Sequence, residues 1–159
     1  MRAITLWQPY ASLIAAGVKH YETRGWKPPQ AMIGKRIAIH AALRDADDLL
    51  KGAKRLPSEV VEVIGNALLS AGFGEVEALE NWNRLPRGAV VATAIIDIVH
   101  RAEDIRSTLS AEELAVGDWD DGRFGWLLRD VQQLTTPIPA KGFQRIWNWT
   151  PPEGFEVPT

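Results

Sequence analysis

The chain has 159 residues, 46% of them apolar and 24% charged, a size and composition expected of one globular domain with a sizeable core. It contains no cysteine, which excludes disulfides, thiolate metal ligands and a cysteine nucleophile. The net charge of −2 divides unevenly, with ten Lys or Arg against five acids in residues 1–60 and eight against fifteen in residues 61–159, so duplex DNA gripped mainly through its phosphates is not an expected partner.

A local basic face in the first part leaves a nucleotide or a short single strand open as a ligand; solvated helix faces would give the same asymmetry. The opening MRAITLWQPY has no basic stretch followed by an apolar run and a small-residue cleavage site, so no secretion signal is expected and the plain expectation is a cytoplasmic protein. No window approaches the roughly 18 consecutive apolar residues of a membrane span, so no membrane partner is expected.

In chain order, Ala3 to Trp7 has the composition of a first strand, with Trp7 expected in the core together with Trp126 and Trp147. Pro9 to Ala16 reads as a short helix, with proline at its start and Gly17 as its stop. The next stretch, GVKHYETR, brings Lys19, His20, Glu22 and Arg24 together within six residues beside apolar segments. Strand alternation would put Lys19, Tyr21 and Thr23 on one face and His20, Glu22 and Arg24 on the other, so Lys19 and Glu22 converge only if the chain bends near the helix exit.

A proline-containing loop from Gly25 to Gly34 leads into Lys35 to Ala42, the clearest buried strand, with His40 opposite Ile37 and Ile39. Residues 43–87 read as a helical insertion. Asp45 would cap a short helix, and Ser58 would begin a longer one with Val60, Val61, Ile64, Leu68 and Leu69 on one face, followed by a loop anchored by Trp82. Gly88 to Val99 is a long strand, and Ser110 with Glu113 forms a capping-box pattern. An acidic turn, GDWDDG, precedes a strand from about Arg123 to Leu134 and a last strand or turn around Gln144 to Trp149. Mostly sequential strands with helices between them predict an α+β fold built on a small mixed β-barrel.

The segments LWQPYASLIAAGVKHYETRGW, GKRIAIHAA, VVATAIIDI, DGRFGWLLRDV and PIPAKGFQRIW together resemble the ASCH domain family, whose Gly-x-Lys-x-x-Glu-x-Arg pattern stands here at Gly17, Lys19, Glu22 and Arg24. The resemblance covers the chain apart from the insertion. It implies a PUA-like barrel over residues 1–159, interrupted at about 43–87, with a cleft along one side where Lys, Glu and Arg gather. It further implies RNA binding. Some small bacterial members hydrolyse the acetamide of N4-acetylcytidine with the lysine, the residue at the place of Glu22 and a later acid, and ribonuclease activity has been proposed for others. Those amidohydrolases look like having Thr at the place of Glu22, so this chain departs from them at one of the three roles. The later acid falls in Ala115 to Asp121, with Asp118 the nearest candidate.

Lys19, Glu22 and Asp118 are therefore the candidate catalytic residues. Arg24, Trp26, His40, Trp119 and Arg123 are the candidate ligand contacts, Trp26 and Trp119 as stacking surfaces for a base. A purely structural ion-pair network at the barrel mouth is the rival explanation, although buried ion pairs seldom stabilise a fold better than apolar packing does. Three scattered histidines without an HxH or HxxxH pair give little basis for a transition-metal site. Asp118, Asp120 and Asp121 could hold Mg²⁺ for nuclease chemistry, but such a turn is more commonly solvated. No cofactor is expected. The expected function is an RNA- or nucleotide-binding domain, with a nucleoside amidohydrolase or a metal-dependent ribonuclease as the alternatives.

Overall fold

The alternating apolar segments become strands, and the computed structural model, which describes residues 1–43, 58–72 and 84–156, joins them in one sheet. The strands are β1 (Arg2–Leu6), β2 (Tyr21–Arg24), β3 (Arg36–Ala41), β4 (Ala89–Arg101), β5 (Phe124–Pro139) and β6 (Ile146–Asn148), in the order β2-β5-β4-β3-β1-β6. β1 runs parallel to β3 and the remaining pairs are antiparallel, so the sheet is mixed.

The long β4–β5 ribbon shifts register at three places, between Val90 and Ala92, Thr93 and Ile95, and Ile96 and Val99. Such bulges raise local twist and bend the strands. The sheet accordingly curls into a half-barrel, and Arg24 Nη2 on the β2 edge reaches across to donate to the Thr5 carbonyl of β1, 3.0 Å away. With flanking helices this is the mixed α+β architecture expected of a PUA-like chain.

Helix α1 (Tyr10–Ala15) is buried along Ala11 to Ala15 because it is covered on two sides. One side meets the sheet core of Ile4, Leu6, Ile37, Ile39, Ile96 and Trp126. The other presents Leu13 to Ile64 and Leu68 of α2 (Ser58–Ser70). An exposed helix start would leave backbone N–H groups unpaired. Buried Gln8 answers this with its Oε1 accepting from Ser12 N at 3.1 Å, while its Nε2 donates to Ser12 Oγ and to the Pro86 carbonyl. The opposite face of the sheet packs Ala3, Ala38, Val90, Trp147 and Trp149. Two short helices, α3 (Ala102–Ile105) and α4 (Ala111–Ala115), lie between β4 and β5.

Several expectations change. Trp126 and Trp147 are buried as predicted, but Trp7 is 47% exposed, because β1 ends at Leu6 and the chain turns into α1 before Trp7 can reach the core. Leu69 is exposed, the buried stripe of α2 being Ile64 and Leu68. The fifth strand continues to Pro139, beyond the predicted Leu134, paired with β4 as far as Ala89. The short helix expected at Asp45 and the anchor expected at Trp82 lie outside the described residues. Among the described residues no helix is long and apolar enough to cross a membrane.

Candidate functional site

The bend required for Lys19 to meet Glu22 is built into the exit of α1. Gly17 takes φ +71°, the left-handed conformation that favours glycine, and Val18 N and Lys19 N then both donate to the Leu13 carbonyl, at 3.0 and 3.1 Å. Extended pairing begins only at Tyr21. Lys19 therefore escapes the strand alternation, and its side chain and that of Glu22 line the same cleft.

That cleft has a volume of about 770 Å³, with Trp7, Tyr10, Lys19, Glu22, Arg24 and Asp118 among its walls. Lys19 is 2% exposed. Its Nζ donates to the Val116 carbonyl at 2.8 Å and stands 5.9 Å from the centre of the Tyr10 ring. Burial lowers the lysine pKa and Arg123 adds to that, against the pull of Glu22, Glu113 and Asp118. Glu22, 6% exposed, has its pKa raised by burial, with Arg24 and Lys19 opposing. Arg24 Nε approaches Glu22 Oε1 to 2.7 Å without the alignment of a hydrogen bond, so the contact is a close ion pair. Both buried groups are thus pushed toward their neutral forms, an amine and a carboxylic acid.

The acidic turn closes the opposite wall. Asp118 is half-exposed and paired with Arg123, whose Nε lies 3.2 Å from Asp118 Oδ2. Arg123 Nη2 also donates to the Thr23 carbonyl, and Asp118 N donates to Thr23 Oγ1, so β2 and the turn hold each other. Lys19, Glu22, Arg24, Asp118 and Arg123 therefore meet around one cavity.

Trp26, Trp119 and His40 are not among the cleft walls. Trp26 packs edge-on against Trp126, ring centres 4.9 Å apart, and its carbonyl accepts the Trp126 indole N–H, so it covers the core instead. Trp119 is 5% exposed, its indole slotted against Gly117 and Gly125, and its N–H donates to the Glu113 carbonyl. His40 packs edge-on against Trp147 on the other side of the sheet, with Nε2 3.0 Å from the Ala140 carbonyl.

His40 Nδ1 is buried without a hydrogen-bond partner, and burial lowers the pKa of the ring. Protonating it would place a charge where no acceptor waits. The unfolded chain binds this proton more readily than the folded one, so His40 makes stability fall as pH drops below the ordinary histidine value of about 6.5. Urea unfolding of wild type and His40→Gln between pH 7 and pH 5 checks this: wild type should lose more stability than the variant, and parallel losses would contradict it.

Sequence patterns alone do not single out Trp7, a wall of the cleft, or Glu113, whose charge acts on Lys19 from beside it. Trp7 was expected in the core. Glu113 was read only as half of a capping box; Ser110 Oγ does accept from Glu113 N, but the Glu113 carboxylate turns away and accepts from His20 N and Tyr21 N at 2.8 and 3.2 Å. The acid thereby ties α4 to the free edge of β2 and lies close enough to Lys19 to act on its charge.

A curled, mixed, six-stranded sheet with flanking helices is consistent with a PUA-like α+β fold. The ASCH domain model matches residues 4–157, and the chain belongs to the ASCH domain family, which is generally thought to bind RNA. Among solved structures, the ASCH protein of Zymomonas mobilis is similar at 21% identity over 87% of this chain and 72% of that one, with a TM-score of 0.46. A tyrosine-to-phenylalanine mutant of the same protein gives 19% identity, 87% and 74% coverage, and a TM-score of 0.45.

Proposed function

We propose that the cleft binds a nucleotide unit of RNA or a modified nucleoside, and that Lys19 and Glu22 together hydrolyse an amide on its base, of the N4-acetylcytidine kind. The observation that carries this reading is the burial of both ionisable side chains, 2% and 6% exposed, in the wall of a cavity. Such burial is a poor way to stabilise a fold and a good way to prepare an acid–base pair.

In this reading the neutral Lys19 amine takes a proton from water as the water oxygen bonds to the acyl carbon. The C–N bond then breaks as the Glu22 carboxylic acid gives its proton to the leaving amine. Lys19 is left as an ammonium and Glu22 as a carboxylate, and return of the proton from Lys19 to Glu22 restores the pair. Arg24, at the cleft wall beside Glu22, stabilises the oxyanion. Asp118 and Arg123 orient the ligand from the opposite wall.

Binding without chemistry is the second reading, favoured by the close Arg24–Glu22 pair, which gives the carboxylate a structural partner. The metal-dependent ribonuclease alternative has less support. Asp118 is engaged by Arg123 and Asp121 by Arg106, and among the described residues no three His, Asp or Glu side chains converge.

Incubation of the purified protein with N4-acetylcytidine, alongside Trp fluorescence titration with short single-stranded RNA, separates these readings. Deacetylation that falls by about 100-fold or more in Lys19→Ala supports hydrolysis. Fluorescence quenching with no deacetylation in the wild type leaves binding alone. Neither response at low salt would reject both.

A further inference from the structure

We infer that the cleft continues onto a second nucleotide step formed by the loop 141–145, so that its ligand is a single strand of RNA and not a free nucleoside. This rests on the nucleotide-binding reading of the cleft and deepens it.

Among the described residues, the two large aromatic side chains that are exposed are Trp7, at 47%, and Phe143, at 53%. Trp7 lines the cleft. Phe143 is joined to the same cleft through buried contacts. Its ring meets Trp147 edge-to-face at 5.6 Å, and Trp147 donates its indole N–H to Thr5 Oγ1 at 3.0 Å. Thr5 is itself a cleft wall, and its carbonyl accepts from Arg24. The backbone of the loop is seated just as closely: a Cβ at Gly142 would come within 3.0 Å of Thr5 Oγ1. Phe143 is thus an exposed ring on a firm support that is linked through Trp147 to Thr5, a wall of the cavity, a poor use of an aromatic residue unless something flat covers it.

The charges around it point to what that is. The loop reads KGFQR, with Lys141, Phe143 and Arg145 all exposed. Lys141 Nζ stands 5.7 Å from the centre of the Phe143 ring. Among the described residues neither Lys141 nor Arg145 forms an ion pair, whereas Arg24, Arg36, Arg101, Arg106, Arg123 and Arg129 each meet a carboxylate. An exposed ring with one cation over it and another exposed two residues further along the loop suits a base stacked on the ring and phosphates beside it. An apolar protein surface would gain nothing from those cations. The base held over Lys19 and its neighbour on Phe143 are then joined by backbone passing Thr5 and Trp7.

The test compares a fluorescently labelled short single-stranded RNA with the matching mononucleotide, using the full chain. Wild type should bind the RNA at least tenfold more tightly, and Phe143→Ala should lower RNA affinity by about tenfold. Phe143→Trp should keep it, and Ile98→Ala, which removes another exposed apolar group, should leave it unchanged. Lys141→Ala should flatten the slope of log affinity against log salt by about 0.7, the value of one phosphate on a single strand. Equal affinity for RNA and mononucleotide, or an RNA affinity unmoved in Phe143→Ala, overturns the inference while leaving the nucleotide reading of the cleft intact. Failure of both ligands to bind wild type removes that reading and the inference with it.

Discussion

Lys19→Met should make the folded protein more stable at pH 7, by about 1 kcal/mol, and should cut the proposed amide hydrolysis about 100-fold or more. The side chain it replaces is almost wholly buried, and the largest influence on its charge is desolvation, which disfavours the ammonium. Methionine keeps the unbranched shape against Tyr10 and removes the charge. The substitution strands the Val116 carbonyl, which accepts from Lys19 Nζ at 2.8 Å, at a cost of about 1 kcal/mol. It does not strand Glu22, which keeps Arg24 at 2.7 Å and is itself pushed toward its neutral form. Relief of a buried charge is the larger effect.

The pH dependence distinguishes this from general repacking. The folded pKa of Lys19 lies below the unfolded value of about 10.4, so between the two the unfolded chain holds a proton that the folded chain does not. Wild-type stability therefore rises with pH through that window, relative to a variant without the group. The advantage of Lys19→Met in denaturant unfolding should shrink from pH 7 to pH 10. A variant that is less stable at pH 7, by a margin independent of pH, would identify Lys19 as a member of a structural ion-pair network. On the proposed mechanism the activity loss should reach about 100-fold or more, since the proposed base would be gone. Gained stability with lost activity is the trade expected of a strained site.

The legible parts of this fold were those set by local chemistry. Pro9 and Gly17 bracket a helix because of what their backbones allow, and the β-branched runs around Ile37 and Val90 became central strands. The Lys19–Arg24 cluster stood out because four charges sit beside apolar segments. Its convergence was not legible: period-two alternation separates Lys19 from Glu22, and two N–H groups sharing the Leu13 carbonyl undo that alternation. The aromatic residues were harder still. A tryptophan in an acidic turn looks available for stacking, but whether it is exposed depends on slots that nearby glycines make once the turn folds. Gly117 and Gly125, two before and six after Trp119, were the available signal. Glu113 shows the same limit, since a capping-box spacing describes one helix end and cannot anticipate that the carboxylate finds the free edge of β2.

Gly117→Ala should cost about 3 kcal/mol of stability and disable the site, although the change is a single methyl on a wall of the cleft. Gly117 does not occupy the left-handed region, so alanine can adopt its backbone conformation. Judged by chain entropy alone the substitution would stabilise by about 0.4–1 kcal/mol. The contact outweighs this. A Cβ at Gly117 would overlap the Trp119 indole nitrogen, and the indole has little room to retreat, because its far edge already lies against Gly125, filling the space a Cβ there would take. Nor can the ring swing out cheaply, since it donates to the Glu113 carbonyl and packs on Tyr21. The backbone of 116–118 must move, and with it the Val116 carbonyl that positions Lys19. A displacement of about 1 Å there is enough to lose roughly 100-fold in rate. A double-mutant cycle with Trp119→Ala isolates the clash: Gly117→Ala should be costly beside Trp119 and nearly neutral without it. Equal costs in the two backgrounds would show that the glycine serves the turn in some other way, and that the Trp119 slot does not hold the lysine's acceptor in place.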